Sequence, residues 1–153
     1  MPEPQQDARL AALAAFLQKA PALAGIRPIW VDNLPAQPFS GGLFPGGRQP
    51  VALRADLLGR RRMRWRETFA LRLKLPHGRG SAPANAARLR SLAAWVAAES
   101  AAGKAPLFGN TDPGSETLAA LAGSLETAGD IGTAVYCVTL RAEYTELYEG
   151  GQI

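Results

Sequence analysis

The side chains able to do chemistry in this chain are few and scattered. His77 is the single histidine and Cys137 the single cysteine. Together they supply the thiol and imidazole for one conceivable nucleophile–base dyad, in which a neighbouring base activates a thiolate. His77 stands in the turn-forming run Pro76-His77-Gly78-Arg79-Gly80, whereas Cys137 falls mid-strand, where a small apolar filler is expected. A metal centre needs several His, Cys or carboxylate ligands at set spacings, and the sequence offers no such set. The glycines of Phe39 to Gly47 match neither the phosphate loop G-x-x-x-x-G-K-[ST] nor G-x-G-x-x-G opening a helix. No carboxylate pair stands out for acid–base work. No catalytic, cofactor or metal site is therefore expected, and no enzyme activity.

Arginine is the residue type with a pattern. Arg48 to Arg90 holds twelve of the seventeen basic residues and only two acids, Asp56 and Glu67. From Asp112 onward there are seven acids against one base, Arg141. Such a division lets copies of one chain pair with each other or with oppositely charged partners. Five arginines fall between Arg60 and Arg66 (Arg60, Arg61, Arg62, Arg64 and Arg66). Like charges this close repel unless anions lie nearby, which makes the cluster a contact candidate. Glu143 and Glu146 of the acidic region are the corresponding candidates there.

These residues must be positioned by a sheet. From Met63 to Leu75 the odd positions are apolar (Met63, Trp65, Phe69, Leu71, Leu73, Leu75), with Glu67 the exception, and the even ones carry Arg64, Arg66, Arg72 and Lys74. Alternation of this kind reads as a long strand with one greasy and one cationic face. Thr133 to Thr145 alternates too, with Ala134, Tyr136, Val138, Leu140, Ala142 and Tyr144 on one side. Val51 to Leu58 forms a hairpin with the long strand through Gly59–Arg62, and Ile26 to Leu34 is a short strand whose Pro28 suits a start or an exposed edge. Pro35 to Pro50, with four prolines and four glycines, reads as loop. As a long loop it is a second contact candidate, through Phe39, Leu43 and Phe44.

Two helices complete the pattern. Asp7 is placed to cap one running to about Ala20, with Leu10, Leu13, Phe16 and Leu17 inward. Asn85 is placed to cap the other, to about Ala102, burying Leu89, Leu92, Trp95 and Val96, with Gly103 as its αL terminator. Glu116 to Thr127 stays ambiguous between helix and strand, since its alanines and leucines favour one and Gly123 and its short length leave the other open. The expected fold is a single α+β domain over residues 1–153, with residues 1–6 and 146–153 as flexible tails. Its antiparallel sheet has four to five strands and carries two helices on one face, in the order α-β-β-β-α-β-β.

Composition narrows the setting. No apolar run approaches the roughly 18 residues of a membrane span. The polar, acidic start Met1–Asp7 argues against a secretory leader, and one cysteine suits a reducing compartment. A basic chain of pI about 9.7 raises nucleic-acid binding as the alternative function. Trp65 and Phe69, however, lie on the apolar face, opposite the cations they would have to accompany for base stacking.

Several segments in order resemble one family. The second helix with Trp95 leads into Gly103-Lys104-Ala105-Pro106-Leu107. The closing strand carries Tyr136, Leu140 and Tyr144. Ile29–Pro35 and Arg62–Leu71 precede them. Over roughly Ala8 to Tyr144 this is similar to the minor capsid, tail terminator (tail-completion) group of long-tailed bacteriophages. The chain departs from that group in its alanine and arginine richness and its longer Pro/Gly segment. The resemblance implies an α+β subunit of a homo-oligomeric ring, commonly a hexamer. Such a ring caps the tail tube and meets the head–tail connector at the head-proximal end of the virion tail, after assembly in the host cytoplasm. It also implies that Glu116 to Thr127 is strand. No membrane partner and no sequence-specific nucleic-acid recognition are expected.

Overall fold

The computed structural model describes residues 4–26, 28–78, 80–108, 116–121, 123–128 and 132–148. The chain is α+β: two helices and a mixed six-stranded sheet. Helix α1 (Pro4–Leu17) and a 3₁₀ turn (Pro21–Leu23) lead to β1 (Ile29–Val31), β2 (Ser40–Ala55) and β3 (Arg61–Pro76). Helix α2 (Ser81–Ala101), β4 (Thr117–Ala120), β5 (Ser124–Ala128) and β6 (Thr133–Tyr148) follow. The sheet order is β1-β2-β3-β6-β4, with β5 also on β6.

β3 and β6 pair antiparallel along their whole length, from Arg61↔Tyr148 to Pro76↔Thr133. Their alternation resolves as the sequence predicts: Phe69, Leu71, Leu73 and Leu75 are buried with Ala134, Tyr136, Val138, Leu140, Ala142 and Tyr144. These side chains form one core with Leu10, Leu13, Phe16 and Leu17 of α1 and Leu89, Leu92 and Val96 of α2. Trp95 packs on its margin, its ring 4.8 Å from that of Phe16. Among the described residues no helix is long and apolar enough to cross a membrane.

The sheet differs from the expected one in number and direction. It has six strands, and β1 runs parallel to β2 (Ile29↔Gly41 to Val31↔Leu43). Parallel neighbours ordinarily need a crossover of a dozen or more residues. Here the chain doubles back within Asp32–Phe39, with Asp32 (φ 58°) and Phe39 (φ 60°) both in the left-handed region. Glu116 to Thr127, one strand by the resemblance, instead holds two short strands, β4 and β5, each against β6.

The segment Pro35 to Pro50 is also not a loop throughout, because β2 starts at Ser40. Its glycines and prolines fit the strand for specific reasons. A Cβ on Gly42 would lie 2.2 Å from the Asn33 carbonyl oxygen, so only glycine lets the returning chain pass. Beyond Leu43, β1 no longer covers β2, so Pro45 and Pro50 lie on a free edge and cost no ladder bond there. Bulges at Pro45/Gly47 and Pro50/Ala52 absorb the remaining irregularity.

Element ends shift as well. α1 begins at Pro4, so Asp7 sits in its first turn, where a carboxylate favours the helix dipole, rather than capping it. α2 begins at Ser81 with Gly80 (φ 83°) before it, tolerating Pro83 in the first turn. Asn85 is instead buried inside the helix, its Nδ2 donating to the Pro76 carbonyl (2.8 Å) and Tyr136 Oη (3.1 Å). β6 continues to Tyr148, so 146–148 are sheet and not tail; 149–153 lie outside the described residues.

Candidate functional site

Three features of the sheet carry the polar chemistry of the molecule: a seam where the helical cover ends, a bare arm beyond it, and the face that no helix covers.

The seam is built on Glu67, the one acidic residue on the apolar face of β3. Glu67 is fully buried, and Arg9 of α1, 4% exposed, reaches it with Nε at 2.6 Å from Oε1. Tyr144 Oη donates to the same oxygen at 2.7 Å. Burial and the Glu67 carboxylate hold the Tyr144 phenol above its ordinary pKa, so it stays a donor. Arg48 Nη1 donates to Tyr144 Oη (3.3 Å) and to Glu146 (2.9 Å), while its guanidinium lies 3.9 Å from the Trp65 ring centre. Burial alone would make Arg48 less basic; Tyr144 and Glu146 outweigh it. Tyr148 donates to Glu146 and accepts from Trp65 Nε1 (3.3 Å).

Beyond the seam, β2 is exposed on both faces from Val51 to Ala55, and Arg61 and Arg62 of β3 are exposed beside it. The tip that joins the two strands is held by Asp56. Its Oδ1 accepts from the amides of Leu58 and Arg60 (both 2.9 Å), and its Oδ2 from Arg60 Nε (2.7 Å). Burial alone would raise the Asp56 carboxyl, but the hydrogen bonds from Arg60 and Leu58 together outweigh it and bring Asp56 below its usual pKa. The tip thus presents two leucines to solvent in a fixed turn: Leu57 at 105% and Leu58 at 79% relative exposure.

The uncovered face carries the even residues of β3. Arg64 and Arg66 share Glu143 at 3.3 and 3.0 Å, and these pairings, opposed by burial, hold the Glu143 carboxyl below the usual range. Arg72 pairs with Glu126 (2.9 Å) and lies over Phe44, 4.9 Å from its ring centre. Near the bulge in β2, Gly46, Gly47, Arg48, Gln49, Arg66 and Thr68 line a polar cavity of about 260 Å³.

The predicted contact residues therefore divide. Arg61 and Arg62 face solvent, and among the described residues no carboxylate pairs with them. Arg60, Arg64 and Arg66 meet acids of their own chain, and Glu143 and Glu146 meet its arginines. Phe39 is exposed, Phe44 half-buried, and Leu43 buried in the core, where no partner can reach it without unpacking the sheet.

Sequence reasoning missed Arg9, because its partner lies 58 residues away and no local pattern joins them. It also weighed only Trp65 and Phe69 as stacking rings, and both belong to the apolar face of β3. Trp30 is 46% exposed and aligned with Gly42, hence on the cationic face. Cys137 and His77 do not meet as a dyad. His77 Nδ1 lies 3.4 Å from Tyr136 Oη on the core side, and Cys137 is on the opposite face. Burial and nearby Glu126 raise the Cys137 thiol pKa, away from thiolate. Among the described residues no three His, Cys, Asp or Glu are grouped to hold a metal ion. The sequence matches no protein-family model, and no curated protein matches it as a relative.

Proposed function

We propose that this chain is a structural subunit of a closed homo-oligomeric ring. Its place would be that of the tail terminators of long-tailed phages that its segments resemble, capping a tail tube and joining it to the head–tail connector. The observation that carries the reading is the arm. A turn locked by Asp56 holds two leucines in water, where they contribute nothing to the subunit's own core. Val51 and Leu53 extend this apolar surface along β2, beside Arg54, Arg61 and Arg62, which are exposed and have no carboxylate partner among the described residues. Contiguous exposed apolar residues rimmed by charge are the usual mark of a protein contact. An arm at one end of a subunit suits a head-to-tail interface, the kind that closes into rings.

Of the hairpin cluster, Arg61 and Arg62 have no carboxylate partner among the described residues and would meet acidic groups on a neighbouring subunit or on the tube protein. Arg64 is the wrong residue to reverse, since Glu143 of the same chain already holds it. The test compares wild type with Leu57→Asp/Leu58→Asp and with Arg61→Glu/Arg62→Glu by mass photometry, alone and with tail tubes. Wild type is expected as one closed oligomer. The leucine variant should be monomeric with unchanged circular dichroism, and the arginine variant should fail to cap tubes. A wild-type protein that stays monomeric with and without tubes removes the proposal.

A further inference from the structure

We infer that the uncovered face of the sheet is a binding surface for single-stranded nucleic acid. The cations on this face form a stripe. Arg62, Arg64, Arg66, Arg72 and Lys74 follow one another along β3, over about 40 Å at 3.2–3.4 Å per residue. Arg54 of β2 stands beside Arg62 in register, and Arg141 of β6 beside Thr68. Against these seven cations the described strands place two carboxylates on the same face, Glu143 and Glu126. Charge of this sign and extent complements a phosphate backbone, whose contacts fix position without reading sequence.

Aromatic placement chooses between single strand and duplex. Base stacking needs an exposed ring on the same face as the cations. Trp30 meets that condition: it is half-exposed, aligned with Gly42, and through Gly42 with Arg72 on the next strand. Between the indole and the arginine the Asn33 carbonyl lies over Gly42, where a Cβ would stand, so the two flank a strip of backbone that offers a further polar atom. Phe44, two residues along β2, lies under Arg72 and widens the apolar platform. Midway along the stripe the run of cations breaks at Thr68 and Ala70. There the 260 Å³ cavity opens, with the Thr68 hydroxyl, the Gln49 amide, Arg66 and the glycine bulge around it. Its volume and donors suit one phosphate between two stacked or splayed nucleosides. The inference does not rest on ring assembly, since one subunit carries the whole surface.

Fluorescence anisotropy with a labelled oligothymidylate, the same length of duplex, and polyglutamate as competitor tests it. Wild type should bind the single strand more tightly than the duplex. Affinity should fall about fifty-fold between roughly 50 and 200 mM salt if four phosphates are neutralised. Trp30→Ala should weaken single-strand binding about tenfold without changing the salt slope. Arg62→Glu/Arg141→Glu should flatten the slope, whereas Lys104→Glu, an exposed cation past the end of α2, should behave like wild type. Circular dichroism of each variant establishes that it is folded. Three results overturn the inference: no binding at low salt, equal binding by Trp30→Ala, or displacement by polyglutamate as readily as by unlabelled strand. None of these bears on whether the protein forms rings, which mass photometry reads separately.

Discussion

The two ends of the sheet are made of the same three strands and behave differently. β2, β3 and β6 are each sixteen residues long. At one end their inner face lies under α1 and α2, and Leu71, Leu73, Val138 and Tyr136 are core. At the other end Val51, Leu53, Leu57 and Leu58 remain in water. The apolar alternation of β3 runs through both ends without a change of period. Alternation thus tells which side chains share a face, but not whether anything covers that face. The boundary between the ends is chemical: Arg9, Glu67, Tyr144 and Arg48 form a hydrogen-bonded series where helical cover gives way to arm.

Removing one charge at that boundary should give the largest effect. Glu67→Ala leaves Arg9 buried without its partner and should cost about 3–5 kcal/mol in urea denaturation. The double replacement Arg9→Met/Glu67→Leu should recover most of that loss, because both desolvation costs vanish together. A Glu67→Ala variant as stable as wild type would mean that the seam is not a closed pair.

A matched leucine comparison sharpens the contrast between the ends. Leu71→Ala should cost about 2–5 kcal/mol through the cavity it opens in the core. Leu58→Ala should change stability by less than about 0.5 kcal/mol, as surface substitutions do, and on the proposed ring reading it should also weaken self-association. Equal losses at the two sites would show that the arm is packed rather than bare. Gly42→Ala comes next, at about 1–3 kcal/mol, because its Cβ would press on the Asn33 carbonyl where β1 returns beside β2. Thermal melts measure this directly.

The smallest effect is electrostatic. Glu143 is held below its unfolded pKa by Arg66 and Arg64, so it contributes stability above the unfolded carboxylate value of about 4.3. That contribution is lost as pH falls through the lower folded value. Between near-neutral pH and about pH 3, Glu143→Gln should therefore lose less stability than wild type. The difference should be under about 1 kcal/mol, since the ion pair is partly exposed. Urea midpoints at the two pH values check it, and identical pH dependence would remove Glu143 from the account.

The legible parts of this protein were the periodic ones. β3, β6 and the inner face of α2 follow from residue order, because a strand or helix imposes its period whatever surrounds it. The hairpin was legible through Gly59 and its flanking runs, though its turn is secured by Asp56. The first half of β2 was not legible, since Gly41, Gly42, Pro45, Gly46 and Gly47 all speak for loop. A close chain crossing, a free edge and a bulge each excuse some of them, and none of these is visible along the sequence. Among the contact candidates, the cluster Arg60–Arg66 could not separate Arg61 and Arg62, which face solvent, from Arg60, Arg64 and Arg66, which meet acids of their own chain.

By itself the sequence determined the alternating faces, the amphipathic helices and the division of charge, because these depend on neighbours within a few residues. Tertiary structure alone decided the partners: Arg9 for Glu67, Glu143 for Arg64 and Arg66, Asn33 over Gly42, Trp30 on the cationic side. Contacts between distant segments depend on register and chain direction, and neither leaves a local period to read.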